Sequence, residues 1–153
     1  MATTFARSDL ATRLRAAIVR TNRRLRQEAG SDLSPTLAAA LGTIARHGPL
    51  TPSELAQRER VQRPTATRLL ARLEEPGYVA RTPDPADGRS SLVTLTPAGR
   101  ELLDAIGHRK DAYIARRLRT LSAEERATLR RAADILERML DERAGEDARR
   151  SRA

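Results

Sequence analysis

Apolar residues recur along most of this chain at spacings of three and four, the period of an α-helix. Residues 8 to 28 place Leu10, Leu14, Ile18 and Leu25 at that spacing, with Arg13, Arg20, Arg23 and Arg24 between them. The pattern predicts a helix stopped at Gly30. "SPTLAAALGTIARHG" predicts a second helix with the stripe Leu37, Leu41 and Ile44, capped by Ser34, started by Pro35 and ended by Gly48. A third begins at "TPSELAQRE", where Thr51 and Glu54 have capping-box spacing and Pro52 takes the first helical position. After "RERVQ", the segment "RPTATRLLARLEE" predicts a fourth helix from about Pro64 to Pro76-Gly77.

The period then changes to two. Residues 78 to 82 and 91 to 96 read as paired strands around "PDPADGRS", a longer connection than the two to five residues of an ordinary hairpin. A long helix follows from Thr96-Pro97 to about Arg119, and a second capping box at Ser122 and Glu125 opens a last helix carrying Leu129, Ala133, Leu136 and Leu140. The stretch 143–153, "RAGEDARRSRA", has no large apolar side chain and is expected to be disordered. The organisation is thus mainly α with one small β element (α+β): a compact centre over 33–97, flanked by helical regions over 8–30 and 98–142.

Composition narrows the chemistry. Only Phe5, Tyr78 and Tyr113 are aromatic, so Leu, Ile, Val and Ala must fill the core, as suits bundled helices. The chain has no Cys, which excludes disulfides, thiolate metal sites and thiol redox sensing. There is no apolar run of membrane-spanning length and no signal-peptide pattern, so the expected location is the cytoplasm. The net charge is +9, and of 29 basic residues only Lys110 is a lysine. A GC-rich genome explains Arg over Lys but not basic over acidic, and the positive excess favours an anionic partner, most commonly nucleic acid.

Two short helices joined by a tight turn and followed by a hairpin form a winged helix-turn-helix arrangement. B-DNA's major groove admits one α-helix, and the helix before it props that reader against the backbone. In the expected reader, Ala66, Leu69, Leu70 and Leu73 share the inward side, while Thr65, Arg68 and Arg72 share a neighbouring one. Arg68 can form a bidentate pair with guanine, and Thr65 can reach a base or a phosphate. Arg63 at the helix start suits phosphate, and Pro64 and Thr67 on the same segment are further candidate DNA contacts. The hairpin then has a use: a wing tip of Asp87, Gly88 and Arg89 can enter the adjacent minor groove, with Asp87 holding the loop, and Arg81 at its base is a further candidate DNA contact.

"GPLTPSELAQRERVQRPTATRLLARLEEPGYVARTPDPADGRSSLVTLTPAGREL" resembles the MarR family of bacterial transcription regulators. The likeness rests on "LT..ELA", "RPT.TRLL.RLE", "G.V.R", the Asp87-Gly88-Arg89 wing motif and "LT..G..L", in order and at compatible spacing. Pro76 departs from it, standing where a polar residue is expected. The resemblance implies a homodimer whose first and last two helices interlock, binding palindromic double-stranded DNA and repressing by promoter occupancy. It also implies relief by a small, often aromatic, anion binding between the dimerisation region and the reading domain. The sequence leaves the residues of that site unknown.

Simpler readings stand beside these. Helix arginines are usually a solvated face, Thr65 can merely turn its own helix start, and Arg81 can be an ordinary strand charge. His108 has Asp104 and Asp111 within one helical turn, but such neighbours are common on helices, and no metal or other cofactor is expected. No G-x-S-x-G element or phosphate-cradling Gly loop is present, so no enzyme activity is expected. Two alternatives remain: a winged-helix module that contacts protein only, and a small enzyme.

Overall fold

The computed structural model describes residues 2–30, 33–86 and 90–150, with side chains described for 9–30, 33–86 and 90–140. The order is α1 (Ala2–Ala29), α2 (Pro35–His47), α3 (Pro52–Glu59), α4 (Arg63–Glu74), β1 (Val79–Pro83), β2 (Ser91–Leu95), α5 (Pro97–Leu118) and α6 (Ala123–Arg150). The chain separates into two compact units, Met1–Tyr113 and Ile114–Ala153.

Local chemistry sets the helix starts. The Ser34 hydroxyl accepts from the Leu37 amide at 3.3 Å, where an amide has no partner inside the helix. At α3 the capping box is complete: the Glu54 amide donates to Thr51 Oγ1 at 3.2 Å and the Thr51 amide donates to Glu54 Oε2 at 2.7 Å. The second unit repeats the device, with the Ser122 amide on Glu125 Oε2 at 2.7 Å and the Glu125 amide on Ser122 Oγ at 3.1 Å.

One apolar core organises the first unit. Leu37, Leu41 and Ile44 of α2 meet Leu55 of α3, Leu69, Leu70 and Leu73 of α4, and Val79 and Val93 of the hairpin. Leu102 and Leu103 of α5 pack against its edge. Each fully buried Leu or Ile stabilises the fold by about 1.5–3 kcal/mol relative to an exposed one, so this cluster fixes where α4 sits.

β1 and β2 pair antiparallel, Val79 opposite Leu95 and Pro83 opposite Ser91. Leu50 adds a single-residue rung: its amide donates to the Val93 carbonyl at 3.1 Å and its carbonyl accepts from the Val93 amide at 2.7 Å. The hairpin is thereby stitched to the segment leading into α3.

Two expectations need correction. α1 begins at Ala2 rather than near residue 8, and α6 continues to Arg150, through most of the stretch expected to be disordered. An absence of apolar side chains shows that nothing need be buried there, not that the backbone leaves the helix. Ala, Glu and Arg are strong helix formers, and extending an existing helix adds one hydrogen bond per residue. Residues 151–153 lie outside the described residues.

α5 starts with an unusually close approach. A Cβ on Gly99 would lie 2.1 Å from the Tyr78 carbonyl oxygen and 2.8 Å from Leu95 Cδ1. Gly99→Ala is therefore expected to destabilise the protein by at least about 2 kcal/mol in urea unfolding, because the obstacle is backbone and cannot rotate aside.

Glu54 supplies an acid-sensitive contribution. Hydrogen bonds from the Thr51 amide and hydroxyl hold its carboxyl below the usual 4.5, with Arg58 adding to the effect. A depressed carboxylate stabilises fully above its unfolded value, and that contribution is lost as pH falls through the folded one. Thr51→Ala should cost about 1 kcal/mol near neutral pH. Glu54→Gln, which can still accept from the Thr51 amide, should flatten part of the stability loss below 4.5 in urea midpoints measured against pH.

Candidate nucleic-acid interface

α4 is built with two unlike faces. Ala66, Leu70 and Leu73 are at most 1% exposed and Leu69 is also buried. Arg63, Pro64, Thr67, Arg68 and Arg72 are exposed, and Thr65 is half-buried. Positions 65, 68 and 72 lie three and four residues apart, so they line one side of the helix. Among the described residues, Arg63, Arg68 and Arg72 have no ion pair or side-chain hydrogen bond. The Thr67 hydroxyl donates to the Arg63 carbonyl at 3.1 Å, which leaves its oxygen able to accept.

The turn before α4 is held under strain. Arg60 ends α3 with φ 53° and ψ 42°, a left-handed conformation that costs a non-glycine residue about 1–2 kcal/mol. Its amide reaches the carbonyls of Ala56 and Gln57, and the Val61 amide donates to Ala56 at 3.0 Å. These bonds stop α3 sharply and swing the chain into α4 within three residues. From beneath, the buried Thr43 hydroxyl on α2 donates to Glu59 Oε1 of α3 at 2.5 Å and accepts from Arg46 at 3.3 Å.

After α4 the chain reverses at Gly77, whose φ of 78° is a conformation that glycine adopts without penalty. Arg81 on β1 then reaches back to the reader: its Nε donates to Glu74 Oε2 at 2.9 Å. Farther out, the Asp84 side chain accepts from the Ala86 amide at 2.9 Å, and the Asp84 amide donates to the Ser90 carbonyl at 3.1 Å. The wing-tip candidates Asp87, Gly88 and Arg89 lie outside the described residues. Thr96 closes the hairpin's base, its hydroxyl donating to the Gly77 carbonyl at 2.6 Å and accepting from the Gly99 amide at 3.1 Å.

A helix with buried leucines on one side and unpaired arginines on another, followed by a two-stranded hairpin, is a winged helix-turn-helix reader. The model of the MarR family matches residues 33–91. An HTH-type transcriptional regulator of Mycobacterium tuberculosis is 42% identical over 134 residues, covering 87% of this chain and 94% of that one. The chain belongs to the MarR family. A crystal structure of a transcriptional regulator from Pseudomonas aeruginosa superposes with TM-score 0.79 at 34% identity, covering 86% of this chain and 94% of that one. The fold is also that of a single-residue mutant of MepR from Staphylococcus aureus, solved bound to an oligodeoxyribonucleotide (TM-score 0.67, 24% identity, 86% and 96% covered). This MarR-family chain is a DNA-binding regulator of transcription.

One further feature of the chain was not resolved by sequence reasoning. A cavity of about 290 Å³ opens in the first unit between α1, α2 and α5, with Arg23, Arg26 and Lys110 around an apolar floor that includes Ala29, Leu33 and Ile106. Its walls come from three distant segments. The only sequence signals were two arginines three apart near the end of α1 and the chain's sole lysine. On the terminal helices, Leu10 and Ile18 of the α1 stripe read from the sequence are 65% and 47% exposed, Val19 is 58% exposed, and Leu129, Ile135, Met139 and Leu140 of α6 are exposed as well. No helix among the described residues is long and apolar enough to cross a membrane, and no group of three His, Cys, Asp or Glu among them could hold a metal ion.

Proposed function

We propose that this MarR-family regulator binds a palindromic operator as a homodimer in the cytoplasm and represses by occupying the promoter, without catalysis of its own. The observation that carries the docking is the unpaired Arg63, Arg68 and Arg72 face of α4 beside the hairpin. In this reading Arg68 pairs with a base edge, and Arg72 and Thr65 contribute along the same side. Arg63, Pro64 and Thr67 lie against the phosphate backbone, while the Asp87-Gly88-Arg89 tip enters the minor groove. The large apolar side chains exposed on α1, and separately on α6, support the homodimer, because such side chains favour burial against a second copy. Two readers would then lie about one DNA turn apart, roughly 34 Å.

The cavity beside Arg23, Arg26 and Lys110 supports an anionic effector with an apolar body. Three cations suit a carboxylate, and the floor suits a ring. Such a ligand would relieve repression by binding more tightly to a dimer whose reader spacing no longer fits the operator.

The test uses the duplex that the wild-type protein selects from a random-sequence library. Arg68→Ala should weaken binding about tenfold or more and relax the preference at one position of each half-site. Arg89→Ala should weaken selected and random duplexes alike, lowering the salt slope by about one. If gel shifts over a range of salt leave both variants at wild-type affinity, this docking is wrong.

Sedimentation of the free protein at micromolar concentration should give twice the 16.9 kDa chain mass. A 16.9 kDa species would remove the dimer.

A further inference from the structure

We infer that Arg81 is a positioning residue: it acts through Glu74 to hold the wing at a fixed angle to the reader, and it does not itself contact DNA. Only the short turn through Gly77 joins the end of α4 to β1. The turn is secured near its own backbone, the Gly77 amide donating to the Glu74 carbonyl at 2.8 Å and the Tyr78 amide to the Leu73 carbonyl at 3.0 Å. Those bonds fix the start of β1, and the Leu50–Val93 rung ties β2 to the segment before α3, leaving the angle between the outer part of β1 and α4 without a direct backbone tie. The Arg81–Glu74 pair, 2.9 Å long and seven residues apart, spans from the strand to the helix and closes that angle. Arg81 sits opposite the buried Val93, so fixing it orients both strands of the hairpin.

The contrast with the reader arginines supports this role. Arg68 and Arg72 are exposed and have no partner among the described residues, as groups kept ready for DNA should be. Arg81 is half-buried, with its side chain 29% exposed, and is already committed to a carboxylate that is itself 40% exposed. To meet a phosphate it would have to leave Glu74 as an unpaired anion near DNA, which works against binding. A pair at this exposure contributes little to global stability. Its effect is local, on where the wing points. The inference rests on the docking proposed above, in which reader and wing engage one duplex.

Charge alone and positioning predict opposite signs for Glu74→Gln. Removing an anion beside DNA should tighten binding if only electrostatics matter. If the carboxylate holds the wing, the same change should weaken binding to the selected duplex about fivefold. Arg81→Gln should weaken it similarly, and Glu74→Gln with Arg81→Gln should be no worse than either alone, because all remove one interaction. The charge-swapped protein, Glu74→Arg with Arg81→Glu, has the wild-type net charge. It should recover at least half of the lost affinity on a logarithmic scale, with the wild-type salt slope.

Thermal melting of each variant checks that the fold persists, and the swap supplies a readout that loss of fold cannot mimic. Glu74→Gln binding as tightly as wild type or tighter, or a swap recovering less than half, overturns the inference. Arg68→Ala on the same duplex separates the two levels: if it too is silent, the docking has failed. If it weakens binding while Glu74→Gln does not, only the positioning role of Arg81 is lost.

Discussion

The fold depends on α4 satisfying two solvents at once. Ala66, Leu69, Leu70 and Leu73 bury against α2, α3 and the hairpin, and this burial alone determines how the helix is rotated about its axis. A helix advances about 100° per residue, so fixing the leucines also fixes the direction of Arg68 and Arg72. The arginines need no contacts of their own to be aimed. A reader whose polar side chains were tethered within the protein would be placed just as well but would lose those bonds on meeting DNA. Here the apolar side provides the placement and the polar side remains available.

What the sequence disclosed follows the range of the interactions concerned. The caps at Ser34, Thr51 and Ser122 act over three residues, and spacing alone revealed each of them. The two sides of α4 were legible because helical period converts sequence distance into direction. Other features join distant segments. Leu50 lies between two prolines and reads as loop, yet it pairs with Val93 more than forty residues later. Glu74 and Arg81 each look like an ordinary surface charge, and only the reversal at Gly77 brings them together. The cavity takes a wall from each of three helices, so no local pattern could announce it. The far ends of α1 and α6 were missed for another reason: periodicity detects an apolar stripe, and the sequence of these ends carries none.

The strong basic excess is also better understood from placement than from total. Arg24 pairs with Glu28 at 3.2 Å and Arg81 with Glu74, while Arg46 bonds to Thr43. Net charge raises the general attraction to a polyanion and the rate of encounter. Affinity at a defined register comes instead from cations left unpaired on a surface that fits a groove. Arg63, Arg68 and Arg72 are left exposed and unpaired on α4, as the proposed docking requires, and the composition alone could not have singled them out.

The cavity and the reader lie within the same compact unit, which bears on how an effector could reach the DNA face. Ala38 of α2 lines the cavity, and its neighbours Leu37 and Leu41 lie in the core that supports Leu70 and Leu73 of α4. A close-packed core does not deform smoothly; it moves as a block or switches between alternative packings. A ligand drawing Arg23, Arg26 and Lys110 together would therefore shift α2 and α4 jointly rather than bend α4 alone. In the symmetric dimer proposed above, joint movement would change the distance between two readers while leaving each reader's own face intact. Such a response should weaken binding to a correctly spaced palindrome far more than binding to a single half-site. That difference distinguishes a change of spacing from a ligand that distorts the reader itself.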